Sequence, residues 1–283
     1  MASFTNFATL SYNGGTTNSN IVTGEILEAL TAVKTAVSAN YSAGDRITYA
    51  LSLVNTGTAA ITDYTVTDNL GGYTVGANTV YPLAYNAGTV RYYINGVLQT
   101  APTVTAGPPL TVTGLTVPAG GSAVLIYETT ATPVAPLATG SSITNTATIT
   151  GGGLTTPITA QATVETENSA DLTISKALSP TTVTENGQIT YTFVISNTGN
   201  TEATATGNVV VTDTFAPILR NIAVTYNGTA WTEGTNYTYN TATGVFTTLA
   251  GQITVPAASF TQNTDGTFTV TPGTATLVIT GTV

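Results

Sequence analysis

The chain has 283 residues, with 14 acidic side chains against five basic ones and neither histidine nor cysteine. Those absences exclude a thiol nucleophile, a histidine-based triad, a His/Cys metal cluster and an imidazole acid or base near neutral pH. The net charge of −9 argues against nucleic acid and anionic membranes as partners, while 66 threonines and 14 tyrosines are the residues of pleated, half-buried surfaces, so an all-β chain is expected.

Taken in chain order, Met1–Leu10 carries neither the basic nor the apolar region of a leader, and no later run is long enough to span a bilayer. The composition is nonetheless that of an exported surface protein. Between Glu25 and Val37 the apolar residues Ile26, Leu30, Val33 and Val37 fall at helical spacing. The counterpart Asp171–Leu178 reads as a strand, and repeated positions share a structure, so a strand is predicted here too. Residues 30–68 run parallel to residues 172–213: both begin LTxxK, pass through ITY and NTG, and end in VTD. Gly120–Thr130 aligns with Gly273–Val283, and turn signals at Asn55-Thr56-Gly57, Asn95-Gly96, Asn197-Thr198-Gly199 and Asn227-Gly228 break the runs at hairpin spacing. The prediction is an N-terminal donor segment, residues 1–25, followed by two tandem Ig-like β-sandwich domains, residues 26–165 and 166–283.

The two units are expected to differ at their ends. In the first, Ser142–Val164 supplies a closing strand pair, whereas the second stops at Val283 without an equivalent. A spare copy stands at the N-terminus: Ser3–Ser11 (SFTNFATLS) matches Ser142–Thr150 (SITNTATIT), and Thr17–Thr23 matches Thr156–Thr163. A sandwich without its last strands exposes a sheet edge and an apolar groove. Thr23–Glu28, at about 3.5 Å per residue, is a short bridge to the chain's own second unit. Insertion into a neighbouring subunit is therefore expected, and a head-to-tail contact that does not close on itself makes a filament.

The only two lysines, Lys34 and Lys176, occupy equivalent positions, as do Asp68 and Asp213 in the two VTD motifs. Asn145 in the closing strand has Asn6 as its counterpart in the spare segment, although Phe7 follows Asn6 where Thr146 follows Asn145. The NTG, VTD and ITNTAT motifs resemble the bacterial surface repeat family known as domain of unknown function eleven, over nearly the whole chain. A lysine in the first strand, an acid mid-domain and an asparagine in the last strand also resemble the isopeptide-forming domains of Gram-positive pilins and collagen adhesins. That second resemblance implies self-catalysed attack of a lysine amine on an asparagine carboxamide with loss of ammonia. Burial lowers a lysine pKa and raises that of a carboxyl group, so a neutral amine attacks while a protonated aspartic acid polarises the carboxamide and shuttles protons. Lys34, Asp68 and Asn145 would form one set within the first domain. Lys176 and Asp213 would form a second, completed by Asn6 of a neighbour.

Glu165, Glu167 and Asp171 suggest a calcium site only weakly, since no EF-hand spacing supports it; a solvated linker is expected, and no metal or cofactor is predicted. Asn40, Asn227 and Asn236 match the N-x-[ST] pattern and mark loops. Trp231, Tyr237 and Tyr239 read as cross-strand packing rather than a binding patch. The expected function is that of a structural subunit of an extracellular bacterial fibre on a cell or spore surface. It would polymerise with copies of itself and turn over no substrate. The alternative is an adhesin or surface-layer binding module that does not self-polymerise.

Overall fold

A computed structural model describes residues 2–26 and 29–283, with side chains from Ser3 to Glu25 and from Ala29 onward. The protein is all-β: among the described residues one three-residue 3-10 turn, Ala205–Gly207, interrupts a succession of antiparallel strands. The helical spacing between Glu25 and Val37 is not realised; Val22–Ile26 and Leu30–Ala36 are strands, and Leu27 and Glu28, on which the Thr23–Glu28 bridge also falls, lie outside the described residues. The chain divides into two compact units, residues up to Pro136 with Ser142–Glu165, and Leu137–Ser141 with Thr166–Val283.

The first unit holds two six-stranded sheets. Arg46–Asn55 illustrates why they form: Ile47, Tyr49, Leu51 and Leu53 are buried at every second position, the period that turns alternate side chains to one face of a strand. Its neighbours are Leu30–Ala36 on one side and Ser122–Ala131 on the other. The second sheet sets Ile61–Asp68 between Leu110–Val117 and Ser142–Gly151, and Ser142–Gly151 pairs onward with Ile158–Thr166. This closing hairpin buries Ile143, Asn145, Ala147 and Ile149. Each isoleucine so buried contributes roughly 1.5–3 kcal/mol.

In the second unit Leu172–Ser179, Gln188–Asn197, Gly273–Thr282, Arg220–Tyr226 and Thr229–Trp231 form one sheet, and Thr212–Thr214, Val245–Thr248 and Tyr237–Asn240 another. Register relates the units residue by residue. Lys34 stands opposite Leu51 and Lys176 opposite Phe193; Tyr49 stands opposite Tyr127 and Tyr191 opposite Ile279. Asn197 stands opposite Gly273, and the Asn55 N–H donates to the Gly121 carbonyl. Gly121 rather than Gly120 is thus the structural match of Gly273, a one-residue correction to the sequence alignment. Two adjacent glycines offer no side chain by which the sequence distinguishes them. Thr212–Thr214 pairs along one edge with Val245–Thr248. Its other edge corresponds to the one that carries Ser142–Gly151 in the first unit, and it pairs with no strand among the described residues.

The N-terminal segment is a hairpin whose strands, among the described residues, pair only with one another, Ala2–Asn6 with Val22–Ile26 and Thr9–Tyr12 with Gly15–Asn18. Its turn places Asn13 and Gly14 at φ of 46° and 80°, the left-handed pair that two-residue hairpin turns require. Every residue from Ser3 to Thr23 is exposed, among them Phe4, Phe7, Leu10, Tyr12, Ile21 and Val22. The Phe4 ring lies over Gly24 so closely that a Cβ there would fall 2.4 Å from it. Asn6 faces Val22 as Asn145 faces Ala162, but the N-terminal pairing shifts by one residue between Asn6–Val22 and Thr9–Asn18, whereas the closing hairpin pairs without a break from Ser142–Glu165 to Ile149–Ile158.

Candidate functional site

In the first unit the two sheets bring Lys34, Asp68 and Asn145 into one buried polar cluster. Lys34 projects inward from Leu30–Ala36, Asp68 ends Ile61–Asp68, and Asn145 lies on the adjoining strand two residues before Ala147, the partner of Asp68. The Lys34 ammonium donates to Asp68 Oδ2 at 2.6 Å, with both side chains essentially excluded from solvent. The Tyr127 hydroxyl donates to the same oxygen, and the Leu70 N–H donates to Oδ1 at 3.0 Å. Lys34 Nζ also sits 4.8 Å from the ring centroid of Tyr49 and 5.8 Å from that of Tyr127, the two rings being stacked. Burial outweighs the attraction of Asp68 and lowers the Lys34 pKa to about 8, so a neutral amine is accessible near physiological pH. Burial raises the Tyr49 and Tyr127 hydroxyls well above the usual phenol range.

The Asn145 carboxamide is fully buried, yet neither its oxygen nor its nitrogen has a hydrogen-bond partner. It lies near enough to the hydroxyls of Tyr49 and Tyr127 to favour their ionised forms. An unsatisfied buried amide costs on the order of 1–3 kcal/mol, a penalty that calls for an explanation. A suppressed amine, a carboxylate that can take its proton and an unpaired carboxamide are the reactants for amide exchange.

The second unit presents half of this arrangement. Lys176 donates to Asp213 Oδ2 at 2.5 Å, beside the rings of Tyr191, Phe193 and Phe215 at 4.5, 5.4 and 5.6 Å from its ammonium. Its side chain is 40% exposed and that of Asp213 18%. The lysine strand Leu172–Ser179 has no buried position, whereas Leu30–Ala36 buries Leu30 and Lys34. A cleft of about 630 Å³ opens next to it, lined by Leu178, Val183, Ile189, Tyr191, Pro217 and Val283. Asn6, the expected partner of this pair, is exposed on the N-terminal hairpin and pairs with Val22.

Sequence reasoning missed two sets of residues. Asn55 and Asn197, read as turn formers, are fully buried clamps: the Asn55 amide donates to the Ala59 and Pro118 carbonyls at 2.8 and 3.0 Å, and Asn197 to those of Thr201 and Pro256 at 2.7 and 3.0 Å. Their recurrence in the two NTG motifs was the available signal. Tyr49 and Tyr127 were read as strand formers, and only Tyr49, within the repeated ITY, carried a signal. Among the described residues no three acidic side chains gather where they could hold a metal ion; Asp171 instead accepts from the Thr198 hydroxyl at 2.7 Å. Trp231 stacks on Tyr226 and Tyr237 packs against Phe246.

No family model and no curated protein sequence matches the chain. Among solved structures it is similar to BcpA, the major pilin subunit of Bacillus cereus, over 96% of this chain and 73% of that one, at 14% identity and a TM-score of 0.35. It is also similar to the pilus backbone RrgB of Streptococcus pneumoniae, over 86% of this chain and 55% of that one, at 14% identity and a TM-score of 0.36. A third likeness, to the N-terminal domain of the Streptococcus gordonii adhesin Sgo0707, covers 47% of this chain and 31% of that one, at 14% identity and a TM-score of 0.35. The chain thus spans about a third of that adhesin structure and about half of RrgB. No helix among the described residues is long and apolar enough to cross a membrane.

Proposed function

We propose that this chain is the repeating subunit of an extracellular bacterial fibre, a pilus-like appendage on a cell or spore surface. The N-terminal hairpin of one copy adds to the open edge of Thr212–Thr214 in the next. Lys34 and Asn145 join within the first domain, and Lys176 joins Asn6 of the incoming hairpin, with Asp68 and Asp213 as proton shuttles. The chain binds copies of itself, needs no metal or cofactor for this chemistry and turns over no substrate.

One observation carries this reading. At equivalent positions Lys34 and Asp68 are covered by the closing hairpin, while Lys176 and Asp213 stand open, and a hairpin of matching sequence is exposed at the N-terminus. Main-chain hydrogen bonds along the open edge would supply affinity, and the alternate inward residues Phe4, Asn6, Ala8 and Leu10 would supply specificity.

The test is intact mass under denaturing conditions with a boiled SDS gel, on the parent chain, on Asn6→Ala and on a variant lacking residues 1–23. The expected result is a ladder of SDS-resistant multimers, lost in both variants, with one ammonia missing per bond. Monomer of unmodified mass in every sample would overturn the crosslinks, and monomeric particles under the electron microscope would overturn the fibre in favour of an adhesin.

A further inference from the structure

The crosslinking chemistry leaves one requirement unassigned. When an amine adds to a carboxamide, negative charge develops on the carbonyl oxygen, and in a dry site it needs a hydrogen-bond donor aimed at it. Asp68 does not meet that need: at rest its Oδ2 accepts from Lys34 and Tyr127 and its Oδ1 from the Leu70 N–H, and the proton that it takes from Lys34 is needed on the leaving nitrogen. The Lys34 ammonium is the other candidate donor, but it must surrender its proton in order to attack. Within this cluster two buried groups remain without partners, the Asn145 carboxamide and the Tyr49 hydroxyl, each belonging to a residue 0% exposed. Tyr49 belongs to the same cluster, its ring 4.8 Å from Lys34 Nζ, and Asn145 is among the groups that act on its hydroxyl.

We propose that Tyr49 is a catalytic residue of the first-domain crosslink, its hydroxyl donating to the oxyanion that forms on Asn145 Oδ1, and that Tyr191 does the same at the Lys176 junction. The proposal rests on the isopeptide reading of these sites. Two neighbouring tyrosines compete for the role in the first unit, and the repeat separates them. Tyr191 occupies the position of Tyr49 and keeps its ring 4.5 Å from Lys176 Nζ, whereas the position of Tyr127 is taken by Ile279. A hydroxyl needed at both sites is therefore the one that both possess. Tyr127 orients Asp68 in the first unit alone.

The steps balance without an external reagent. The Lys34 ammonium gives one proton to Asp68 Oδ2 across their hydrogen bond. Nζ then bonds to Asn145 Cγ while the carbonyl π pair moves onto Oδ1, where Tyr49 holds it. Asp68 passes its proton to Nδ2 and takes a second from Nζ. The Cγ–Nδ2 bond breaks, ammonia leaves, and Asp68 is left protonated beside the new amide. The Tyr49 proton is never transferred.

The test uses the full chain in an Asn6→Ala background, so that only the first-domain bond can form. Protein isolated in denaturant is refolded by dilution, and loss of ammonia is followed by intact mass. If the Asn6→Ala chain itself keeps its unmodified mass, the isopeptide reading fails and this assignment with it. If that chain reacts, Tyr49→Phe is expected to react about 100-fold more slowly, while Tyr127→Phe still completes the bond. Equal rates for Tyr49→Phe and its parent would overturn the assignment alone, as would arrest by Tyr127→Phe in place of Tyr49→Phe. Folding is controlled in an Asp68→Ala background, which forms no bond. There Tyr49→Phe should melt no lower than its parent, because the hydroxyl has no partner to lose, and a lower melt would make its role structural and overturn the proposal.

Discussion

Lys34 and Lys176 project from equivalent positions, one opposite Leu51 and the other opposite Phe193, yet the Lys34 side chain is fully buried and that of Lys176 is 40% exposed. The difference lies in the cover. Ser142–Gly151 closes the second sheet of the first unit beside Asp68, and the matching edge beside Asp213 is open among the described residues. The same ion pair is thus a sealed site in one unit and an accessible one in the other.

Stability should follow that difference. Removing one partner of a buried pair leaves an uncompensated charge, so Lys34→Ala should destabilise the first unit by about 3–5 kcal/mol, before any loss from a missing crosslink. Lys176→Ala in the monomer removes an exposed pair and should cost about 0–1 kcal/mol. Denaturant unfolding of the two variants checks the contrast, and equal effects would contradict it. Because the hairpin and the open edge lie elsewhere, Lys34→Ala should still assemble.

The pH dependence of the unreacted fold has two opposing parts. Lys34 is lowered from 10.5 to about 8 in the folded chain, so between those values the unfolded state binds a proton that the folded state does not, and stability rises with pH. The tyrosines work in the other direction. Tyr49 and Tyr127 are raised by burial, as are Tyr41 and Tyr64, so above about pH 10 the unfolded chain loses protons that the folded chain keeps, and stability falls. In Asn145→Ala, where no bond can form, the melting temperature should therefore climb from pH 8 and turn over near pH 10. Crosslinked protein lacks the lysine contribution and should show only the fall.

The Asn55 and Asn197 clamps predict matched losses. Each amide ties the turn after its strand to a distant strand end through two carbonyls, and each Oδ1 accepts an N–H, from Gly57 and Gly199 respectively, at 2.9 Å. Replacement by alanine strands those groups in the interior, at a cost of about 3 kcal/mol per site. Asn55→Ala should lower only the melt of the first unit and Asn197→Ala only that of the second. A single shared shift would show that the clamps do not act within their own units.

The pattern of what could be read in advance follows from repetition. Lys34, Asp68, Lys176 and Asp213 stood out because the chain writes them twice in a background nearly devoid of charge, and Asn145 because its neighbourhood recurs around Asn6. The alternation in Arg46–Asn55 and Ser122–Ala131 announced strands directly. Tyr127 could not be read this way, since its counterpart is Ile279 and tyrosine is an ordinary strand residue. The burial of Asn55 was hidden for another reason: an Asn-Thr-Gly turn looks solvent-exposed until the Ala59 and Pro118 carbonyls are brought to it. An open edge in the second unit was expected from the repeat, but that Thr212–Thr214 bears it needed topology, because pairing partners are not written in a strand's own residues.

The register of the donated hairpin gives the sharpest assembly prediction. If Asn6 takes the place of Asn145, then Phe4, Ala8 and Leu10 take those of Ile143, Ala147 and Ile149, all buried, while Thr5, Phe7 and Thr9 take those of Thr144, Thr146 and Thr148, which are exposed or half-buried. A one-residue slip would exchange the two faces. Ala147 is 0% exposed and leaves no room for a larger side chain, so Ala8→Arg should abolish polymers by driving a charge into the groove. The monomer should be unaffected, because Ala8 is exposed on the free hairpin. Phe7→Thr, which restores the residue found in the closing strand, should assemble as well as the parent. Native gels and electron microscopy of the two variants decide the register: polymers from Ala8→Arg together with their loss from Phe7→Thr would place the opposite face inward and separate Asn6 from Lys176.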